Sequence, residues 1–249
     1  MGAVAGDLRV GHIDGNTASN TIFGTNAWDT IHPGSGNDLV YAGAGNDLID
    51  DFGHGVTGSG GNDDFYGEAG DDVIWCWTGN DYVDGGTGND DIYGEAGNDD
   101  LWGWTGNDYI SGGSGADNLF GEAGNDVLDG GTGADYVAGG TGADRFIYRS
   151  TADSNAGGRD LLANFNFGAD KINLAAIDAN LTAGGNQAFR WTDATSGVPL
   201  KGFLMAVAGA GGQTVILGNT DNDLASELQI VVADGGQSPG YWIAADFIL

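Results

Sequence analysis

The chain has 249 residues, of which 49 are Gly and 36 are Asp or Glu against only 7 Lys or Arg, giving a formal charge of −29. With 41% hydrophobic residues and 3 Pro, the composition fits neither a disordered chain nor collagen. No Lys or Arg stands between Arg9 and Arg145, so nucleic acid and anionic lipid are excluded as ligands of that stretch, which calls for cations.

Residues 1–15 read as a lead-in with neither the charged n-region nor the apolar h-region of a Sec signal. No run of 18 apolar residues exists, so membrane insertion is not expected, and the single Cys76 leaves no disulfide to form.

Residues 16–148 are a repeat array. Asn20, Asp29, Asp38 and Asp47 stand nine residues apart, as do Asp63, Asp72, Asp81, Asp90, Asp99, Asp108, Asp117, Asp126, Asp135 and Asp144. The step from Asp47 to Asp63 is sixteen, so the phase breaks once near residues 51–60. Two residues before each Asp from Asp38 onward stands Gly: Gly36, Gly45, Gly61, Gly70, Gly79, Gly88, Gly97, Gly106, Gly115, Gly124, Gly133 and Gly142. Two residues after each repeat position stands an apolar side chain, from Ile22 to Phe146. An x-U-x step is a three-residue strand with its middle side chain inward, and the Gly-rich remainder is a turn that uses Gly where φ is positive. Nine residues then make half a coil and eighteen a full coil of a two-faced parallel β-roll, whose coils stack about 4.8 Å apart.

This stacking sets each Asp beside the one eighteen residues on, giving pairs such as 29/47, 63/81, 99/117 and 126/144, with Asp153 at the right distance from Asp135. Paired carboxylates and turn carbonyls are the hard oxygen set of Ca²⁺. Without an ion, carboxylates about 5 Å apart repel by roughly 1 kcal/mol in water and about 3 at an effective dielectric of 20, so the metal-free array is expected to be unfolded. Zinc or iron is not indicated: there is no Cys cluster, and His12, His32 and His54 read as surface or turn residues. Tyr66, Trp102 and Phe120 fall at outward positions on one face of the roll, and Trp75 and Tyr93 on the other. They are expected to shield the thin roll, with a glycan or a partner domain as the alternative ligand.

Residues 149–249 change texture. Gly thins, basic residues return, and strands are expected at Asp160–Phe167, Phe203–Val207, Thr214–Gly218, Leu228–Val232 and Ala244–Leu249, forming a cap with its own core. Ser238 lies in a G-x-S-x-G pattern, but every His precedes it, so no hydrolase triad is supported.

The nonapeptide GGxGxDxUx resembles the RTX, or hemolysin-type, calcium-binding repeat. GADRFIYRSTADS, GRDLLANFNFGADKINLAAIDAN, GNQAF and the terminal ADFIL are similar to the C-terminal domain of serralysin-type M10 metalloproteases. The resemblance implies an all-β fold: a right-handed parallel β-roll continued into a C-terminal β-sandwich cap, with the repeat Asp and Gly residues and Asp153 holding several Ca²⁺. It also implies extracellular destination through type I secretion machinery, read from Asp246, Phe247, Ile248 and Leu249. Asn219, Asp221, Asp223 and Glu227 are similar to that family's EF-hand-like loop, although Leu224 replaces the turn Gly. No H-E-x-x-H occurs, so the protease activity of the family is not expected of this chain.

Overall fold

The computed structural model describes residues 2–4 (backbone only), 11–51, 60–177, 188–192, 199, 201–221, 226–233 and 242–249. His54, Asp223, Ser238 and most of the phase break lie outside these residues, as does the second half of AAIDANL, the 175–181 segment.

The alternation of short strands and turns builds two long sheets, and successive half-coils go to opposite sheets. The first sheet runs through Asn20–Phe23, Leu39–Ala44, Asp64–Ala69, Tyr82–Asp84, Asp100–Trp102, Asn118–Ala123 and Tyr136–Thr141, all parallel. The second runs through His12–Asn16, Thr30–Gly34, Leu48–Asp50, Val73–Trp75, Asp91–Ala96, Tyr109–Gly115, Val127–Gly133 and Arg145–Ile147, also parallel. The expected inward residues, from Ile22 to Phe146, are all essentially inaccessible and meet between the sheets.

The register is eighteen residues everywhere in the repeats except across the phase break. There Val40 pairs with Phe65 and Ile49 with Ile74, a step of twenty-five. The extra seven residues therefore leave the pairing of both sheets in phase.

Gly is required in the turns for more than its φ. Gly97 has φ of 153°, and a Cβ there would lie inside the van der Waals sphere of the Gly79 carbonyl oxygen one coil below. The second Gly of the nonapeptide is less strict, because Glu68, Trp77, Glu95, Trp104 and Glu122 occupy it with φ between 65° and 72°. Holding a side chain in that left-handed region costs about 1–2 kcal/mol per residue.

The C-terminal strands appear where expected, at Leu161–Ala163, Phe203–Ala208, Thr214–Asn219, Leu228–Ala233 and Phe247–Ile248. Their arrangement differs from a cap with a separate core. Leu161–Ala163 joins the first sheet beside Tyr136–Thr141 and is followed by Leu228–Ala233, Thr214–Asn219, Phe203–Ala208 and Arg190–Trp191. Lys171–Asn173 and Phe247–Ile248 extend the second sheet. Leu162 and Val232 continue the inward column of one sheet, Ile172 and Phe247 that of the other, so the core is continuous. The physical reason is that each of these strands keeps an apolar residue in register with the roll. Toward this end the core becomes aromatic, with Trp242 packed between Phe165, Phe167 and Phe247 at centroid distances of 4.9, 4.9 and 5.7 Å.

Candidate metal centre

Each repeat Asp closes its turn onto the coil before it. The Asp63 backbone N–H donates to Oδ1 of Asp81 at 2.8 Å, that of Asp81 to Asp99 at 2.9 Å, and that of Asp99 to Asp117 at 2.9 Å. The same bond links Asp72, Asp90, Asp108, Asp126 and Asp144 in order along the other edge of the roll. Two columns of buried carboxylates result, one leading into each sheet.

Oδ1 is thus satisfied, whereas Oδ2 is not. The Oδ2 atoms of Asp38, Asp47, Asp63, Asp72, Asp81, Asp90, Asp99, Asp108, Asp117, Asp126, Asp135 and Asp144 are buried and accept no hydrogen bond. An orphaned buried carboxylate oxygen is costly unless a cation replaces the lost hydration. Each Oδ2 of the later repeats sits over the first Gly of its own turn: a Cβ on Gly94 would stand 2.5 Å from Asp99 Oδ2, and one on Gly85 2.7 Å from Asp90 Oδ2. The Gly carbonyls two residues before each Asp point along the stack at the equivalent Gly of the next coil, where only a Cα hydrogen meets them.

Burial raises these carboxyls. Asp38, Asp47, Asp99, Asp108 and Asp135 are pushed up to about 6, Asp63, Asp72, Asp90, Asp117 and Asp126 to about 7, and Asp81 to about 8. Lost hydration is the main cause, the backbone N–H that each accepts opposes it, and for most of them neighbouring carboxylates push further upward.

Several pairings differ from simple eighteen-residue spacing. Asp38 donates its N–H to Asp63 Oδ1 at 2.7 Å and Asp47 to Asp72 Oδ1 at 2.6 Å, both across the phase break. Asp135 stacks on Asp160, not on Asp153, and Asp144 on Asp170, each at 3.0 Å. Asp153 instead turns its Oδ2 to the N–H groups of Arg149 and Ser150, at 2.7 and 2.9 Å, closing a local turn. Asp160 and Asp170 escaped notice because they lie beyond the last nonapeptide, although each is followed two residues later by a buried apolar residue, Leu162 or Ile172. Asp51 is a further one: its carboxylate is fully buried, and burial, with Asp63, Asp38 and Asp81 nearby and the Gly34 N–H opposing, pushes it up to about 8.

Asp29 is an exception, since its Oδ2 accepts from the Thr25 N–H at 2.7 Å and the Thr25 hydroxyl at 2.8 Å. Asn20 occupies the first position of its column with no carboxylate, and its N–H donates to Asp38 Oδ1.

The donor set is all oxygen, anionic and buried, which suits a hard divalent cation such as Ca²⁺ and not a soft one. Among the described residues no three of the column carboxylates come within 4.8 Å of one another, so each gap between coils supplies two carboxylates and needs turn carbonyls to complete a shell. In the 219–227 loop, Glu227 Oε2 accepts from the Thr220 N–H at 2.6 Å and Asn219 Oδ1 from the Asp221 N–H at 3.1 Å, the bonds of a polar turn.

The outward aromatics fall on the faces expected. Trp75 stacks on Tyr93 at 3.8 Å and Trp102 on Phe120 at 3.9 Å, on opposite sheets, so the rings cover one another's faces along the stack. At the chain's last strand, Phe247 is buried against Trp191 and Trp242, and Asp246 caps its own turn by accepting the Ile243 N–H at 2.9 Å.

The two-sheet parallel roll with a carboxylate column at each turn edge agrees with the models of two families of repeat-containing domains. The family model described as RTX calcium-binding nonapeptide repeat (4 copies) matches residues 11–40, and that described as Peptidase M10 serralysin C terminal matches residues 58–235. The second match spans well over half of the chain, and the chain belongs to the serralysin C-terminal family. Among solved structures it is similar to two subunits of the Azotobacter vinelandii mannuronan C5-epimerase. AlgE6R3 is 24% identical with a TM-score of 0.45, over 64% of this chain and 78% of that one. AlgE6R2 is 26% identical with a TM-score of 0.44, over 61% and 88%. Extracellular lipase LipA from Serratia marcescens is 17% identical with a TM-score of 0.30, and the match takes in 93% of this chain and 40% of the lipase. A search of the curated proteins gives no match.

Proposed function

We propose that the chain is a non-enzymatic module of an extracellular protein that folds when Ca²⁺ fills its turns. The observation that carries this is the pair of columns of buried, donor-free Oδ2 atoms, which leave the metal-free roll with a carboxylate penalty at every coil. Asp38, Asp47 and the Asp residues from Asp63 to Asp144 would hold the ions, together with Asp160 and Asp170 at the junction with the C-terminal strands. When bound, the cation neutralises the stacked carboxylates; the chain's own part is to fix their Oδ1 atoms on backbone N–H groups so that Oδ2 stays free to ligate.

The same chemistry fits export through a type I route in a calcium-poor cytoplasm. For sites near 10⁻⁴ M, millimolar Ca²⁺ contributes about 1.4 kcal/mol each, and submicromolar Ca²⁺ almost nothing. Within the tetrapeptide Asp246–Leu249, Phe247 and Ile248 pair into the second sheet and Asp246 and Phe247 are buried in the folded chain, so a transporter reading it would meet the chain before folding. The face-to-face stacking of Trp75 on Tyr93 and Trp102 on Phe120 favours shielding of the roll over glycan binding.

Calcium binding at the columns is tested by equilibrium dialysis of the wild type and of Asp99→Asn, which keeps the Oδ1 acceptor and removes the charge. The variant should bind fewer ions and need several-fold more Ca²⁺ to fold; an unchanged stoichiometry and midpoint would remove the columns from the binding site.

A further inference from the structure

The first two coils carry donors of a different kind. His12 and Asp14 lie two residues apart on one face of the His12–Asn16 strand, and the parallel register places His32 directly beside Asp14. Asp14 Oδ1 is 3.1 Å from His12 Nε2 and 3.2 Å from His32 Nδ1, and the rings meet edge to face with centroids 5.0 Å apart. All three donor atoms lie within 4.8 Å of one another, the one such group of His, Cys, Asp or Glu among the described residues.

We propose that His12, Asp14 and His32 form a site for a borderline divalent transition metal, Zn²⁺ in the first instance, separate from the calcium columns. Two imidazoles and one carboxylate match the ligand preference of Zn²⁺ and are poor ligands for Ca²⁺. Bonds of about 2.0–2.1 Å in a tetrahedron place neighbouring donors roughly 3.3 Å apart, close to both measured edges. Asp14 and His12 are more than half exposed, so the ion has an entry path, and three protein ligands leave a fourth position for water. Pairing of Ile31 with Ile49 sets Asp50 in register beyond His32, on the side away from Asp14, with its Oδ1 accepting from Trp77 Nε1 at 2.8 Å. The Asp-rich chain also draws cations to its surface. Sequence spacing contains this site: Asp14 and His32 are eighteen residues apart, the period that pairs the turn carboxylates.

The test uses the whole chain, folded in excess Ca²⁺ with its circular dichroism recorded first, then titrated with Zn²⁺ by calorimetry and with Co²⁺ by visible absorption. One equivalent of Zn²⁺ and the intense visible bands of low-coordinate Co²⁺ are expected. His32→Ala and the near-isosteric Asp14→Asn should each weaken Zn²⁺ binding by about 100-fold or more, with the dichroism of the calcium-loaded chain unchanged, while His54→Ala leaves the affinity as it was. Absence of Zn²⁺ binding by the wild type, binding indifferent to both variants, or binding lost with His54→Ala would overturn the assignment.

Discussion

At the scale of the residue, the two glycine-dependent positions of the nonapeptide obey different physics. Gly97 has no room for a Cβ because a backbone carbonyl fills the space, and backbone cannot yield as a flexible side chain can. Glu95 stands where the sequence pattern also asks for Gly, but it is exposed and carries only the φ penalty, at 70°. Opposite outcomes are therefore expected in denaturant melts of the calcium-loaded chain. Gly97→Ala should lose at least about 3 kcal/mol through a clash that the stack must open to relieve, whereas Glu95→Gly should gain up to about 1 kcal/mol. A destabilised Glu95→Gly would mean that its side chain makes an interaction worth more than the strain.

The sequence made the repeat positions readable because each side chain serves one purpose: Gly for space, Asp for the turn, an apolar residue for the core. Asp51 and the His12–Asp14–His32 group were harder to see for the opposite reason. Asp51 sits at the edge of the phase break, off the repeat positions, and His12, Asp14 and His32 are all outward residues that no core pattern constrains.

At the scale of the element, what matters is the carboxylate column. Folding raises these Asp pKa values to about 6 to 8, above the ordinary value near 3.8. Between those values the folded chain binds more protons than the unfolded one, so the stability of the metal-free roll is greatest at about pH 4 and below and falls as pH rises from there to about 8. Ca²⁺ competes with protons for the same oxygens, so its affinity should change in the other direction. In metal-free buffer the β signal should grow as pH is lowered from 8 to 5, while the Ca²⁺ midpoint shifts to higher concentration over the same range. A metal-free β signal independent of pH would show that the buried carboxylates do not control folding.

Register is also decided at this scale, and it explains what spacing left open. Strand pairing is governed by the inward column, so the seven extra residues at the phase break leave no trace in the ladder, and Asp38 and Asp47 find partners at twenty-five. The same rule takes Asp135 past Asp153 to Asp160, because Asp160 precedes Leu162, which pairs with Val137.

At the scale of the whole molecule, the two sheets run from the first coil to the last strand around one core, and the C-terminal strands belong to the roll's own sheets. The strands at 203–208, 214–219 and 228–233 were legible from their apolar runs. Their attachment was not, since the antiparallel return that brings Leu228–Ala233 beside Leu161–Ala163 is a long-range pairing without a local signal. A continuous core makes folding of the roll and of the C-terminal strands one event, and the carboxylate columns make that event depend on the ion. The direct test is far-ultraviolet circular dichroism of the full chain at pH 7.5, in chelator and then through a Ca²⁺ titration to millimolar concentration. A coil-like spectrum that converts cooperatively to β, with the tryptophan fluorescence changing at the same midpoint, is the expected result; a β spectrum already present in chelator and unchanged by Ca²⁺ would contradict it.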